Sequence, residues 1–104
     1  MYNRPLKFRV WDKKLKKMIS WNSFIRFDDP EYEVMQYIDN VDMHKKEIYE
    51  GDIVKVSARG FRKDVVSVYK GQYIFADLDQ AVTDFYENEL EIVGNIFENP
   101  EIKF

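Results

Sequence analysis

His44 is the only histidine in the chain, so any general base or metal centre built on imidazole would rest on it alone. Asp42 and Glu47 stand near it, but a zinc site needs three or four ligands, and here thiolates and a second imidazole are missing. His44 therefore reads as a solvent-exposed loop residue. The acids that begin at Asp77 and Asp79 suggest a calcium loop. Counted from Asp77, however, the sixth position, which needs glycine, is Val82, and the twelfth, which needs a bidentate glutamate, is Asn88. Asp28 and Asp29 stand beside Pro30, a turn signature rather than an acid–base pair. Ser20, Ser23, Ser57 and Ser67 have no histidine beside them to activate a hydroxyl. The four glycines stand isolated at 51, 60, 71 and 94, so no glycine-rich loop can cradle a phosphate. The expectation is no catalytic residue, no metal, no cofactor and no enzyme.

Two constellations have binding character instead. Arg59, Phe61, Arg62 and Lys63 surround one tight turn, with Tyr69, Lys70 and Tyr73 at the next. Exposed aromatics among cations can stack on bases and hold phosphates. A second basic group is Lys13, Lys14, Lys16 and Lys17. Together Lys13, Lys14, Lys16, Lys17, Arg59, Phe61, Arg62 and Lys63 form the candidate interaction surface. Against nucleic acid stands a sequence pI near 5.2, which repels phosphate except where positive charge is clustered. Ordinary hairpin turns are the preferred reading of these groups, and nucleic-acid contact the lesser one.

The net charge of −3 hides a split. Residues 1–27 carry eight Lys or Arg against the single Asp12, a net +7, and residues 28–104 carry eight basic against eighteen acidic residues, a net −10. Residues 77–101 contain eight acids and no base. Either this charge is solvated and paired within one chain, or the basic hairpin meets an acidic surface on a second copy or on an unidentified protein partner. A homo-oligomer weakened by salt is thus one expectation, and a monomer with internal pairing is the other.

These groups need elements to position them. Leu6–Trp11 alternates, with Leu6, Phe8 and Val10 on one face and Lys7, Arg9 and Trp11 on the other, the period-2 pattern of a half-buried strand. Asp12–Lys17 is the turn, and Met18–Phe27 the return strand of a hairpin. Asp28-Asp29-Pro30 ends it, because proline lacks the donor that a central strand requires. Tyr32–Ile38 reads as a third strand and Asp39–Lys46 as a connection. Further strands are expected at Ile53–Val56, Val65–Tyr69, Tyr73–Leu78 and Leu90–Phe97, with Gly94 marking a bulge or a close backbone approach. Asp79–Glu89 is either one or two helical turns capped by Asp79 or a long loop.

The predicted fold is mainly β. It has an N-terminal β-hairpin unit (1–46) followed by a small SH3-like, partly open barrel (47–104), with a possible short helix before the last strand, in a single domain over 1–104. The expected barrel core is Ile53, Val54, Val66, Val68, Ile74, Leu78, Leu90, Ile92 and Ile96, with Leu6, Phe8, Val10 and Ile25 on the hairpin's buried face.

At 104 residues, with 45% hydrophobic and 16% aromatic content, the chain has material for one core. Charges fall every few positions, so no run of apolar residues is long enough for a membrane helix. No secretory signal is read at the N-terminus, and the absence of cysteine fits a reducing cytoplasm.

Three segments together resemble the YopX-like family of phage and prophage proteins. They are LKFRVWDKKLKKM (Leu6–Met18), MQY (Met35–Tyr37) with EIYEGDIVKV (Glu47–Val56), and VGNIFENPE (Val93–Glu101). Members often carry glycine in the middle loop, where this chain has Asp39 and Lys45. The resemblance implies a β-rich fold with an SH3-type barrel and expression in the cytoplasm of a bacterial host. It brings no catalytic residue with it. The functional expectation is a non-enzymatic binding or assembly module, the alternative a small nucleic-acid-binding regulator acting through the basic turns.

Overall fold

The computed structural model describes residues 6–21, 25–26 and 28–102. The chain is mainly β, with an N-terminal β-hairpin unit and a second sheet that curls into a partly open, SH3-like half-barrel. The strands are β1 (Phe8–Asp12), β2 (Lys17–Ser20), β3 (Tyr32–Val41), β4 (Glu47–Tyr49), β5 (Asp52–Val56), β6 (Arg62–Tyr69), β7 (Gln72–Phe75), β8 (Gln80–Ala81) and β9 (Leu90–Asn95). The first sheet has the order β2-β1-β3-β4 and the second β8-β7-β6-β5-β9.

The hairpin forms as the alternation predicts, with Val10 opposite Ile19 and Trp11 opposite Met18. Its return strand ends at Ser20, and residues 22–24 and 27 of the expected Met18–Phe27 strand lie outside the described residues. The third strand runs on to Val41, and β4, unforeseen, pairs with it. The change of sheet therefore comes at Glu50-Gly51 rather than at Lys46. Gly51 has φ +84, a left-handed backbone that glycine adopts without strain, and this turn carries the chain from one sheet to the other.

Asp39 and Lys45 have φ 62 and 64. Both hold the left-handed backbone that glycine adopts most easily. At Asp39 this accompanies an irregular register between β3 and β4, the geometry of a bulge. In β9 both features expected of Gly94 are present. Ile53 pairs with Gly94 and Val54 with Ile92, which leaves Val93 as the extra residue, and a Cβ on Gly94 would stand 2.6 Å from Asn99 Oδ1.

The core gathers Ile38 and Ile48 from the first sheet with Val54, Val56, Val66, Phe75 and Leu90 from the second and Val82 from the 3-10 turn after β8. Ile53, Val54, Val66, Leu90, Val10 and Ile25 are buried as expected, while Leu78 and Ile92 pack on the core partly exposed. Val68 (48% exposed), Ile96 (43%) and Leu6 (70%) do not belong to it. Val68 lies on the same face of β6 as buried Asp64 and Val66 but next to the strand's end at the β6–β7 turn, where the core does not cover it. Leu6 precedes the first paired residue of β1, and Ile96 follows the end of β9. The opposite face of β1, expected to meet solvent, is half covered. Arg9 Nη2 donates to Asp52 at 2.6 Å, its guanidinium lies 4.7 Å from the centre of the Tyr49 ring, and Trp11 stacks on Phe97.

Asp79–Glu89 resolves into the short strand β8 and two single 3-10 turns, Val82–Asp84 and Glu87–Glu89. Asp79 caps neither. The residues before them are Ala81 and Tyr86, and Glu89 Oε1 accepts the Tyr86 N–H.

Buried carboxylates replace the missing helices as organisers of the loops. Asp64 accepts N–H groups from Val65, Asp77 and Leu78. Asp42 accepts those of His44 and Lys46 on Oδ1 and that of Ile92 on Oδ2. Burial pushes the Asp42 carboxyl up, but the N–H groups of Ile92, Lys46 and His44 pull it further down, and its pKa falls below the ordinary 3.8. Burial dominates at Asp52 and raises it, against the opposing pull of Arg9.

Leu90→Ala should cost about 2–5 kcal/mol by urea unfolding, and Ile96→Ala less than about 0.5 kcal/mol. For Asp42→Asn, the amide Nδ2 would face the Ile92 N–H donor to donor, so a loss of about 1–3 kcal/mol is expected near neutral pH. A depressed folded pKa means stability that is present above the unfolded value and lost as pH falls through the folded one. The gap between native and Asp42→Asn should therefore close as pH drops below 3.8. A gap that persists there would show that the carboxylate charge is not what holds these donors.

Candidate functional site

The two basic groups predicted to form an interaction surface lie on different sheets. Lys13, Lys14, Lys16 and Lys17 are exposed at the β1–β2 hairpin, whose turn is set by Asp12. That buried carboxylate accepts the N–H groups of Lys14 and Leu15, each at 3.0 Å, and Lys16 has φ 53. Lys13 pairs with Glu33 at 3.0 Å. The second group belongs to the β5–β6 connection. Arg59 ends the 3-10 turn Ser57–Arg59, Gly60 and Phe61 follow, and Arg62 and Lys63 open β6 with exposed side chains.

Phe61 is the residue the local chain treats unusually. Its φ is 60, directly after Gly60 at 72, and a bulky side chain in that region costs about 1–2 kcal/mol. Its ring is also 66% exposed. Strain and exposure in one aromatic residue are a cost that packing does not explain, and such residues cluster where a ligand is held. Lys55 Nζ lies 5.1 Å from the ring centre, a cation–π contact that fixes both side chains on the outer face.

Phe61 opens onto a cleft of about 390 Å³ lined by Met43, Lys55, Ser57, Phe61, Asn88, Glu89, Leu90 and Glu91. Three segments bring these together. The turn organised by Asp42 places Met43, whose N–H donates to the Leu90 carbonyl at 2.8 Å. Ser57 Oγ donates to the Glu89 carbonyl at 3.3 Å and draws the 3-10 turn toward β9. Leu90 turns its side chain into the core beside Val56, so the apolar surface that the cleft offers is that of Met43 and Phe61. Acids stand around it. Glu91 Oε2 lies 3.0 Å from His44 Nε2, Glu89 holds the Tyr86 N–H, and Glu87 pairs with Lys45. His44 is thus an exposed loop residue with one carboxylate partner. Among the described residues no group of three or more His, Cys, Asp or Glu is arranged to hold a metal ion.

Sequence reasoning found Phe61 and assigned Leu90 to the core, but missed Met43, Ser57, Asn88, Glu89 and Glu91 as neighbours of that ring. The one available signal was Met43, an apolar residue isolated in the polar run Asp39–Lys46. Of the aromatic and basic residues at the next turn, Lys70 lies 5.4 Å from the exposed Tyr69 ring, while Tyr73 packs against the core instead.

Residues 22–102 match the protein family described as "YopX protein". The crystal structure of protein EF1440 from Enterococcus faecalis is similar in fold, with a TM-score of 0.73, 22% identity, and coverage of 95% of this chain and 98% of that one. That identity supports the fold alone. No curated protein matches the chain. Among the described residues no helix is long and apolar enough to cross a membrane.

The strain at Phe61 is measurable. Phe61→Gly should unfold at a temperature no lower than the native protein, whereas Phe61→Val, β-branched at a positive φ, should lose about 1–2 kcal/mol. Equal stabilities for the Gly and Val variants in a thermal melt would show that the position is unstrained.

Proposed function

We infer that this chain, which belongs to the YopX family, is a non-enzymatic, phage-type protein-binding module working in the cytoplasm of a bacterial host. Its binding site is the Phe61 cleft. The observation that carries this reading is a strained, exposed Phe61 at the mouth of an apolar cleft bordered by Glu89 and Glu91. An apolar slot between an aromatic and a methionine side chain suits one aliphatic anchor residue, and the acids beside it suit cationic neighbours of that anchor. Methionine at such a wall adapts its shape to the guest.

The side chains that would serve acid–base chemistry are occupied in holding the rim, Glu91 by His44 and Glu89 by the Tyr86 N–H. A nucleic-acid reading draws on Lys55 and Lys63, which are direct cross-strand neighbours beside Phe61. Yet Glu91 is the cross-strand neighbour of Lys55 on its other side, and Glu89 and Glu91 both line the cleft. A phosphate approaching Phe61 would meet those carboxylates.

The test is chemical-shift mapping with short synthetic peptides in which one leucine is flanked by lysines or by glutamates, alongside single-stranded DNA and RNA at two salt concentrations. Lysine-flanked peptides should shift the Met43 methyl and Phe61 ring signals and glutamate-flanked ones should not. Nucleic acid that shifts the same signals with a steep salt dependence would replace this reading with that of a nucleic-acid regulator.

A further inference from the structure

The β1–β2 hairpin presents the features that the cleft lacks. Leu15 at its tip is 67% exposed, flanked by Lys13 and Lys14 on one side and Lys16 and Lys17 on the other. The Asp12 carboxylate fixes the turn through Lys14 and Leu15 N–H, so the leucine is held out by a preorganised loop and loses little freedom on docking.

The bases of the N-terminal part that find acids within the chain do so away from the acidic stretch. Lys7 pairs with Glu47, Arg9 with Asp52 and Lys13 with Glu33. Among the described residues Lys14, Lys16 and Lys17 make no ion pair, and no base of residues 6–21 reaches residues 77–101. Among the described residues, then, no ion pair joins the basic stretch 6–21 to the acidic stretch 77–101. Internal pairing, the alternative open from the sequence, is met only outside the acidic stretch.

We propose that the Lys-Lys-Leu-Lys-Lys tip of one copy docks in the Phe61 cleft of a second copy, with Leu15 between Met43 and Phe61 and the lysines against Glu89 and Glu91. This rests on the reading of the cleft as a protein-binding site. The cleft, at about 390 Å³, takes the leucine together with the aliphatic stems of adjacent lysines, whose ammonium groups stay at the rim. Tip and cleft are different surfaces, so the contact either closes by reciprocal exchange between two copies or runs head to tail.

Two surface variants test it: Leu15→Asp removes the anchor, and Met43→Asp puts a charge in the wall at a half-exposed position where folding is unaffected. By light scattering at micromolar concentration and low salt, the native protein should exceed the monomer mass, fall toward it at high salt, and each variant alone should be monomeric. Mixed in equal amounts, the variants should form a one-to-one heterodimer, because one retains the cleft and the other the tip. A native protein that is monomeric at low salt overturns the proposal, as do variants that still associate alone or fail to associate when mixed. If the native chain is monomeric while lysine-flanked peptides still shift Met43 and Phe61, the self-docking falls and the binding-site reading stands. If neither occurs, both fall.

Discussion

The Asp42 carboxylate is the interaction on which the architecture turns. It is fully buried, yet its two oxygens receive three backbone N–H groups, two from its own turn and one from Ile92, fifty residues further along. A buried charge survives only when such donors replace its water. Here they tie the end of the first sheet to the last strand of the second. The same clasp brings Met43 N–H to the Leu90 carbonyl, so the outer side of β9 is covered by the 42–43 segment instead of lying open as a template for another strand. The cleft exists because of this contact, since two of its walls are the residues it draws together.

Asp64 and Asp52 extend the same device. Asp64 fastens the 77–78 turn to β6, and Asp52 takes both the Tyr49 N–H and the Arg9 guanidinium where the chain changes sheets. Among the described residues there is no α-helix, and short acids that accept several N–H groups immobilise the connections with little side-chain entropy to lose. With its acids spent on structure in this way, part of the strongly negative charge of residues 28–104 is not available as surface.

Phe61 contrasts with these. The carboxylates relieve backbone groups of unmet hydrogen bonds, whereas Phe61 adds strain and exposed apolar area at once. Leu15 is likewise an apolar side chain held out on a tight turn, and both turns contain a residue at positive φ. Such presentation is the opposite of what core packing selects.

The sequence by itself determined the β character, the hairpin through Val10 and Ile19, the strands from Ile53 to Tyr69, and the double role of Gly94, because alternation and turn chemistry are local properties of the chain. It also carried the family, through residues spaced along its whole length. Only the tertiary structure decided that Arg9 and Trp11 face a second sheet, that the acids at 42, 52 and 64 are buried, and that Met43, Phe61 and Leu90 meet. Neither pattern nor propensity encodes which distant N–H groups will satisfy a carboxylate. An aspartate that caps a solvated turn and one that clasps two sheets look alike in one dimension, and they differ only in what the folded chain places opposite them.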